Sequence, residues 1–335
     1  MTETVREPVQ WGDDREAGDD REAALGADEL LLLVEAAGLA PSLHNSQPWR
    51  FRPLPDGPGV LVYADRDRAV PLADPDGRAL MVSVGAALFN LRVAAARLGR
   101  PVWESRLMPG GGPVAEVRFG ERGEPYGIGE LAAAIGQRHS SREPFANRDV
   151  PEAVIAELIA AAEAEGATLE ALEEAGARRV LALTAEAEAR IAADAARRAE
   201  TGSWLRGESA ADGIPAAALG PQDHEAHVPM RDFTGRGPVQ ARRFEALPQV
   251  LTVTTHGDTA ADWLRAGQAM ERVWLLATAR GLRLSVLHQA VELPDTRWRL
   301  RDPEHGVGTV QLVLRIGYGP PGTATPRRPV TDLLG

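Results

Sequence analysis

The chain has 335 residues, with 44% hydrophobic and 25% charged side chains, enough apolar material for two ordinary globular domains or one large one. Lys and Arg total 37 against 48 Asp and Glu, a net charge of −11, and such a field disfavours nucleic-acid phosphates and anionic membrane surfaces. There is no cysteine, which excludes disulfides, thiolate metal sites, cysteine-ligated iron–sulfur clusters and a cysteine nucleophile.

In chain order, residues 1–24 are charged and lack an apolar core, so they are predicted to be a disordered leader and not a secretory signal. DELLLLVEAAG at 28–38 reads as a helix with an acidic start and a glycine stop. Residues 49–54 and 60–64 read as strands around a Pro/Gly turn. A long helix is predicted over 76–98, stopped by Gly99 with Pro101 just beyond, and strands follow near 102–107 and 114–119. The order then recurs: a helix over about 151–165, a strand at 250–254, a long helix at about 259–280 stopped by Gly281, and a strand at 310–316. No uninterrupted apolar run approaches the roughly 18 residues of a membrane span. The expectation is a cytoplasmic protein whose partners are small molecules.

Overlaying the two long helices puts Gly85 on Gly267, Ala87 on Ala269, Ala95 on Ala277 and Gly99 on Gly281. This self-similarity implies duplication of one unit, and two copies in one chain pack like a fused homodimer. A mid-helix glycine costs about 1 kcal/mol relative to alanine, so its recurrence in both copies predicts a close helix–helix approach. The expected organisation is a leader at 1–24, a first half at 25–125 and a second half at 126–335. The second half carries a lid-like insertion at about 185–237, in which Trp204, Ile214, Met230 and Phe233 suggest a segment that packs down.

Several formal motifs carry no chemistry. GYGPPG at 317–322 has the spacing of a dinucleotide fingerprint, but it holds two prolines and opens no helix. His224 and His227 lack the acidic or thiolate partners of a metal site. The Arg/Glu/Ala-rich run at 173–200 reads as a solvated helix face.

Four polar clusters remain at element boundaries: PSLHNSQPW at 41–49, QRHSSREPF at 137–145, Gln240 to Arg243, and TPRRPV at 325–330. Arginines on loops with hydroxyls between them suit a phosphate, because guanidinium forks match its oxygens. APSLHNSQPWRF closely resembles the flavin-binding segment of the nitroreductase family, and RHSSREPF resembles that family's Arg-His-Ser-x-Arg/Lys segment. The closing RRPV resembles its basic C-terminus, and the order of motifs resembles the tandem, Acg-like branch.

The resemblance covers residues 28–335 and implies an α+β nitroreductase-like fold, two half-repeats packed as an intrachain pseudo-dimer, binding FMN with NAD(P)H as electron donor. It places Arg138, Ser140, Arg327 and Arg328 on the phosphate or ribityl chain, with Arg142 and His139 near the phosphate or the pyrimidine edge. Gln240 and Arg243 would replace the family's Asn and Lys, and Arg243 or a ring-facing amide would stabilise the reduced flavin. Pro41, Ser42, Leu43 and Asn45 would reach the flavin from the other half, and the loop at Leu287 and His288 would bring backbone amides to the ring. No catalytic side chain and no metal are implied.

Each half keeps only one portion of the motif set, so the expectation is one complete site per chain, one degenerate counterpart, and a monomer. Two readings follow. One is an FMN-dependent oxidoreductase that passes hydride from NAD(P)H to a nitro, quinone or similar acceptor. The other is an FMN-sequestering protein with a closed lid and little or no reductase activity.

Overall fold

The computed structural model describes residues 25–335 except 109–110, 208, 234–239, 302–305 and 307. The expected leader and the last residues of the expected insertion lie outside the described residues. The first unit runs α1 (Ala27–Gly38), β1 (Trp49–Pro53), β2 (Gly59–Ala64), α2 (Arg78–Arg97), β3 (Val102–Leu107) and β4 (Ala115–Phe119). Its four strands form an antiparallel sheet in the order β1-β2-β4-β3. After a short α3 (Ala132–Ile135) come α4 (Glu152–Glu163), β5 (Thr168–Ala171), α5 (Glu174–Ala193) and α6 (Ala195–Ser203). The chain closes with β6 (Gln249–Thr255), α7 (Ala260–Ala279), β7 (Arg283–Val286), α8 (Gln289–Glu292), α9 (Pro294–Arg299) and β8 (Thr309–Gly317). The second sheet has the order β5-β6-β8-β7, again antiparallel.

The two sheets therefore repeat one order, strand for strand, and α1 and α2 recur as α4 and α7. The sequence reading found the helices but not β5 or β7, each only four residues long and too short for periodicity to register. The units differ at one connection. β1 and β2 are joined by residues 54–58, whereas 172–248 separate β5 from β6 and hold α5 and α6, a wider excursion than expected. α5 is not a solvated face. It buries Val180, Leu181, Leu183, Thr184, Ala187 and Ile191 and packs on α8.

The units meet where α2 crosses α7. A Cβ built on Gly85 would lie 2.2 Å from the Leu264 carbonyl oxygen, and one on Gly267 would lie 2.0 Å from that of Val82. Val82 and Leu264 are themselves equivalent in the overlay, so the crossing has the reciprocity of a two-fold contact. Backbone-to-backbone packing is the reason both units carry a helical glycine. Among the described residues, α2 is the one helix long and apolar enough to cross a membrane, but 89% of its apolar window is buried inside the molecule.

Candidate functional site

The site grows from the end of α1. Beyond it the backbone enters the left-handed region at His44 (φ 52°), Asn45 (φ 55°) and Gln47 (φ 50°). Non-glycine residues are strained there, and such strain persists only where the surroundings over-determine it. They do so here. Ser42 Oγ accepts from the Gln47 amide at 2.9 Å, and Asn45 Nδ2 donates to the carbonyls of Gly213 and Pro326, both at 2.9 Å. Gln47 Nε2 donates to Ala211 O, and its Oε1 accepts from the Arg328 amide. The first unit's segment is thus fixed by the insertion and by the C-terminal tail.

Residues 138–142 approach from the second unit. Ser140 bridges to Leu284 and the Ser141 amide donates to Leu284 O, so this stretch runs beside the edge of β7. The tail crosses over it. A Cβ on Gly322 would lie 2.2 Å from Ser140 O, so this glycine of the formal dinucleotide motif permits a close chain crossing and contacts no phosphate loop. Beyond β7, the Leu287 amide donates to Val313 O, and the turn holds His288 at the start of α8.

These segments enclose one cavity. Pro41, Ser42, Leu43, Asn45, Arg138, His139, Ser140, Arg142, Leu287, His288 and Arg327 line it. Three expected residues do not. Arg328 turns to Gln47 O and Asp332 O instead. Gln240 and Arg243 flank a two-residue ladder in which Ala241 and Arg242 pair with Gln222 and Asp223. This ladder leaves Gln240 exposed and Arg243 77% exposed beside Glu225. His44, Ser83, Arg231, Met270 and Trp274 line the cavity without having been expected there, and so do Ile214, Met230 and Phe233, which the sequence marks as the apolar residues of an insertion that packs down. His44 lies inside the 41–49 polar cluster. Arg231 belongs to no motif or period.

Charge is arranged unevenly. Arg138 is 2% exposed, donates from Nη2 to Leu39 O at 2.7 Å, stacks over Trp274 at 4.9 Å and faces Glu271 at 3.2 Å. Arg327 donates to Asn45 Oδ1 and Leu39 O, both at 3.1 Å. Two guanidinium groups of the second unit thus meet the carbonyl end of α1, where the helix dipole favours cations. Burial depresses them all the same: Arg327 falls to about 9 and Arg142 to about 10, each further lowered by a neighbouring arginine. Burial raises Glu271 to about 7 against the pull of Arg138. Burial, with nearby arginines, holds His44 and His288 well below the usual imidazole range, so both are neutral. Arg138 Nε, Arg327 Nε, Arg231 Nη1, His44 Nε2 and His288 Nε2 are all buried without a hydrogen-bond partner. Such atoms are costly to leave unmet, and a buried cationic cluster of this kind fits an anionic ligand.

No family model matches the chain. A Mycobacterium tuberculosis (strain ATCC 25618 / H37Rv) protein named "Putative NAD(P)H nitroreductase Rv3131" is 32% identical over 324 residues, covering 92% of this chain and 91% of that protein. Another, "Putative NAD(P)H nitroreductase acg" of the same strain, is 29% identical over 321 residues, 92% of this chain and 95% of that one. Among solved structures, the FMN-dependent nitroreductase NfnB from Mycobacterium smegmatis, in complex with NADPH, aligns over 62% of this chain and 97% of its own at 13% identity, with a TM-score of 0.36. The chain belongs to the nitroreductase family.

Proposed function

We propose that the protein is an FMN-dependent oxidoreductase of the nitroreductase type, passing hydride from NAD(P)H to a nitro, quinone or similar acceptor. The observation that carries this reading is the meeting of Arg138 and Arg327 with the strained 41–47 segment around one cavity, with Arg327 Nε buried and without a hydrogen-bond partner. When bound, FMN supplies the ring that takes up and gives out the hydride. Arg138 and Arg327, with Ser140 and His139 beside them, would hold its phosphate by charge-assisted bonds. Arg142 would face the pyrimidine edge, and the backbone at Leu287 and His288 would face the ring. Pro41, Ser42, Leu43 and Asn45 would close the other side from the first unit. Ile214 and Met230 would exclude water as part of a lid. Hydride transfer requires no side-chain acid or base, and neutral His44 and His288 suit an environment that orients and does not protonate.

An absorbance spectrum of the purified chain, before and after anaerobic NADPH, tests this. A flavin spectrum that bleaches is expected. A colourless chain that stays apo after incubation with FMN rejects the reading.

The insertion gives weight to the alternative of FMN sequestration. It is tied to the 45–47 segment by Asn45, by Gln47 and by Arg68, which pairs with Asp212 and with Ser46 O. A flavin that dithionite reduces but nicotinamides do not would favour this second reading.

A further inference from the structure

The cavity has two cationic ends; a phosphate accounts for the first, and at the second the pyrimidine edge would engage Arg142 but leaves Arg231 unassigned. At the first, Arg138 and Arg327 meet the end of α1. At the second, Arg142 and Arg231 sit among Phe233, His44 and His288. Arg231 comes from the insertion, and its side chain is 8% exposed. Nη2 donates to the fully buried Glu292, and Nε lies 3.8 Å from Glu188. The guanidinium is therefore held by two carboxylates, while Arg231 lines the cavity and its Nη1 is buried with no acceptor. Phe233, two residues further on, has Arg142 5.0 Å over its ring and lies in a T-shaped arrangement with His44 at 6.1 Å. Ile214 and Met230 extend an apolar wall beside it.

Resting on the FMN reading above, we propose that this end is the acceptor subsite and selects a planar aromatic bearing a carboxylate, which Arg231 Nη1 binds while Phe233 flanks the ring. The charge balance argues for a monoanion. Arg142, Arg231 and Arg197 stand against Glu292 and Glu188, which leaves one positive charge, and both imidazoles are neutral. Arg142 Nη1 already donates to Ala218 O at 2.6 Å, so the fork that would favour a phosphate dianion is partly occupied. A buried, oriented donor without an acceptor is stabilised by a ligand that supplies one, and a neutral isostere forfeits the charge-assisted part.

The test uses the full, FMN-loaded chain and two unreactive probes of nearly equal shape, benzoate and benzamide, with Kd read from flavin absorbance and equilibrium dialysis. Benzoate is expected to bind about 10- to 150-fold more tightly, the range of one charge-assisted bond. The double variant Arg231→Met/Glu292→Gln removes both buried charges together, so neither is left unpaired; it should erase the preference and leave FMN affinity unchanged. Equal binding of the two probes by the parent chain overturns the proposal without recourse to any variant. A double variant that loses FMN and riboflavin alike but keeps the benzoate preference overturns it too, by placing Arg231 on the flavin. A chain that takes up no FMN overturns both readings. One that takes up FMN, is bleached by NADPH and does not distinguish the probes overturns only this one.

Discussion

Arg138 leaves α3 in the second unit and ends on Leu39 O of the first, beside Glu271 and over Trp274. Replacing it by alanine removes a charge-assisted phosphate contact worth roughly 1.5–3 kcal/mol. FMN affinity should fall about 10- to 150-fold, whereas riboflavin, which lacks the phosphate, should bind as before. Fluorescence titration with both flavins checks this, and unchanged FMN affinity would return Arg138 to a structural ion pair. Asn45 works differently. Its amide is fully engaged by Gly213, Pro326 and Arg327, so Asn45→Ala should loosen the cavity wall and weaken FMN and riboflavin alike, by about 0.5–1.5 kcal/mol per bond lost.

Glu271 adds a pH dependence at the same scale. Burial raises its carboxyl to about 7, so above pH 7 it ionises beside the arginines that would take the phosphate. The phosphate's own second ionisation, near pKa ~6, is nearly complete by then. FMN affinity should therefore weaken as pH rises from 7 towards 8, below the range in which Arg327 titrates, and Glu271→Gln should flatten that slope while riboflavin shows none. A parent titration that is flat across this window would separate Glu271 from the ligand.

At the scale of elements, the α2–α7 crossing leaves no space for a methyl group. Overpacking typically costs about 1–3 kcal/mol, occasionally more, and here the opposing atoms are backbone. Gly85→Ala and Gly267→Ala should each lower the unfolding free energy by at least that amount, even though alanine is the better helix former by about 1 kcal/mol. Chemical denaturation reads this directly, and a stabilised variant would contradict backbone contact at the crossing. The paired glycines were legible in the sequence because a costly residue recurred at one helical position. The 41–47 and 138–142 segments were legible because polar side chains concentrate where α1 and α3 end. β5 and β7 were not, since four residues carry too little alternation, and their pairing comes from β6 and β8. Gln240 and Arg243 had suitable residue types, but the ladder at 241–242 directs the segment outward. Phe233 and its apolar neighbours signalled an insertion that packs down, but Arg231 reaches the cavity only because that insertion folds back over α8, a tertiary fact that no local pattern encodes.

For the whole molecule, duplication raises the question of a second site. Each unit has a twelve-residue helix, α1 or α4, followed two residues later by Ala40 or Glu165. At the first end, arginines from elsewhere in the chain bind carbonyls and border an open cavity. At the second, the nearly buried Glu165 carboxylate takes Arg92 of α2 at 2.5 Å and Arg272 of α7 at 2.8 Å. Arg92 also donates to Gln268 at 2.8 Å. Both cations near this counterpart bond directly to one internal carboxylate, whereas at the first end Glu271 faces Arg138 alone and Arg327 bonds Asn45 and backbone carbonyls, so an incoming phosphate would have to displace well-desolvated ion pairs only at the counterpart. We therefore expect one FMN per chain, with residues 25–125 and 126–335 acting as the two halves of an internal dimer that needs no second copy. Light scattering on the flavin-saturated chain, followed by denaturation and quantitation of released FMN, measures both quantities on one sample. One equivalent per chain at monomer mass is the expected result. Two equivalents would mean that the Glu165 pair yields to phosphate. A dimer with one FMN per chain would leave the site assignment intact but remove the self-contained pseudo-dimer.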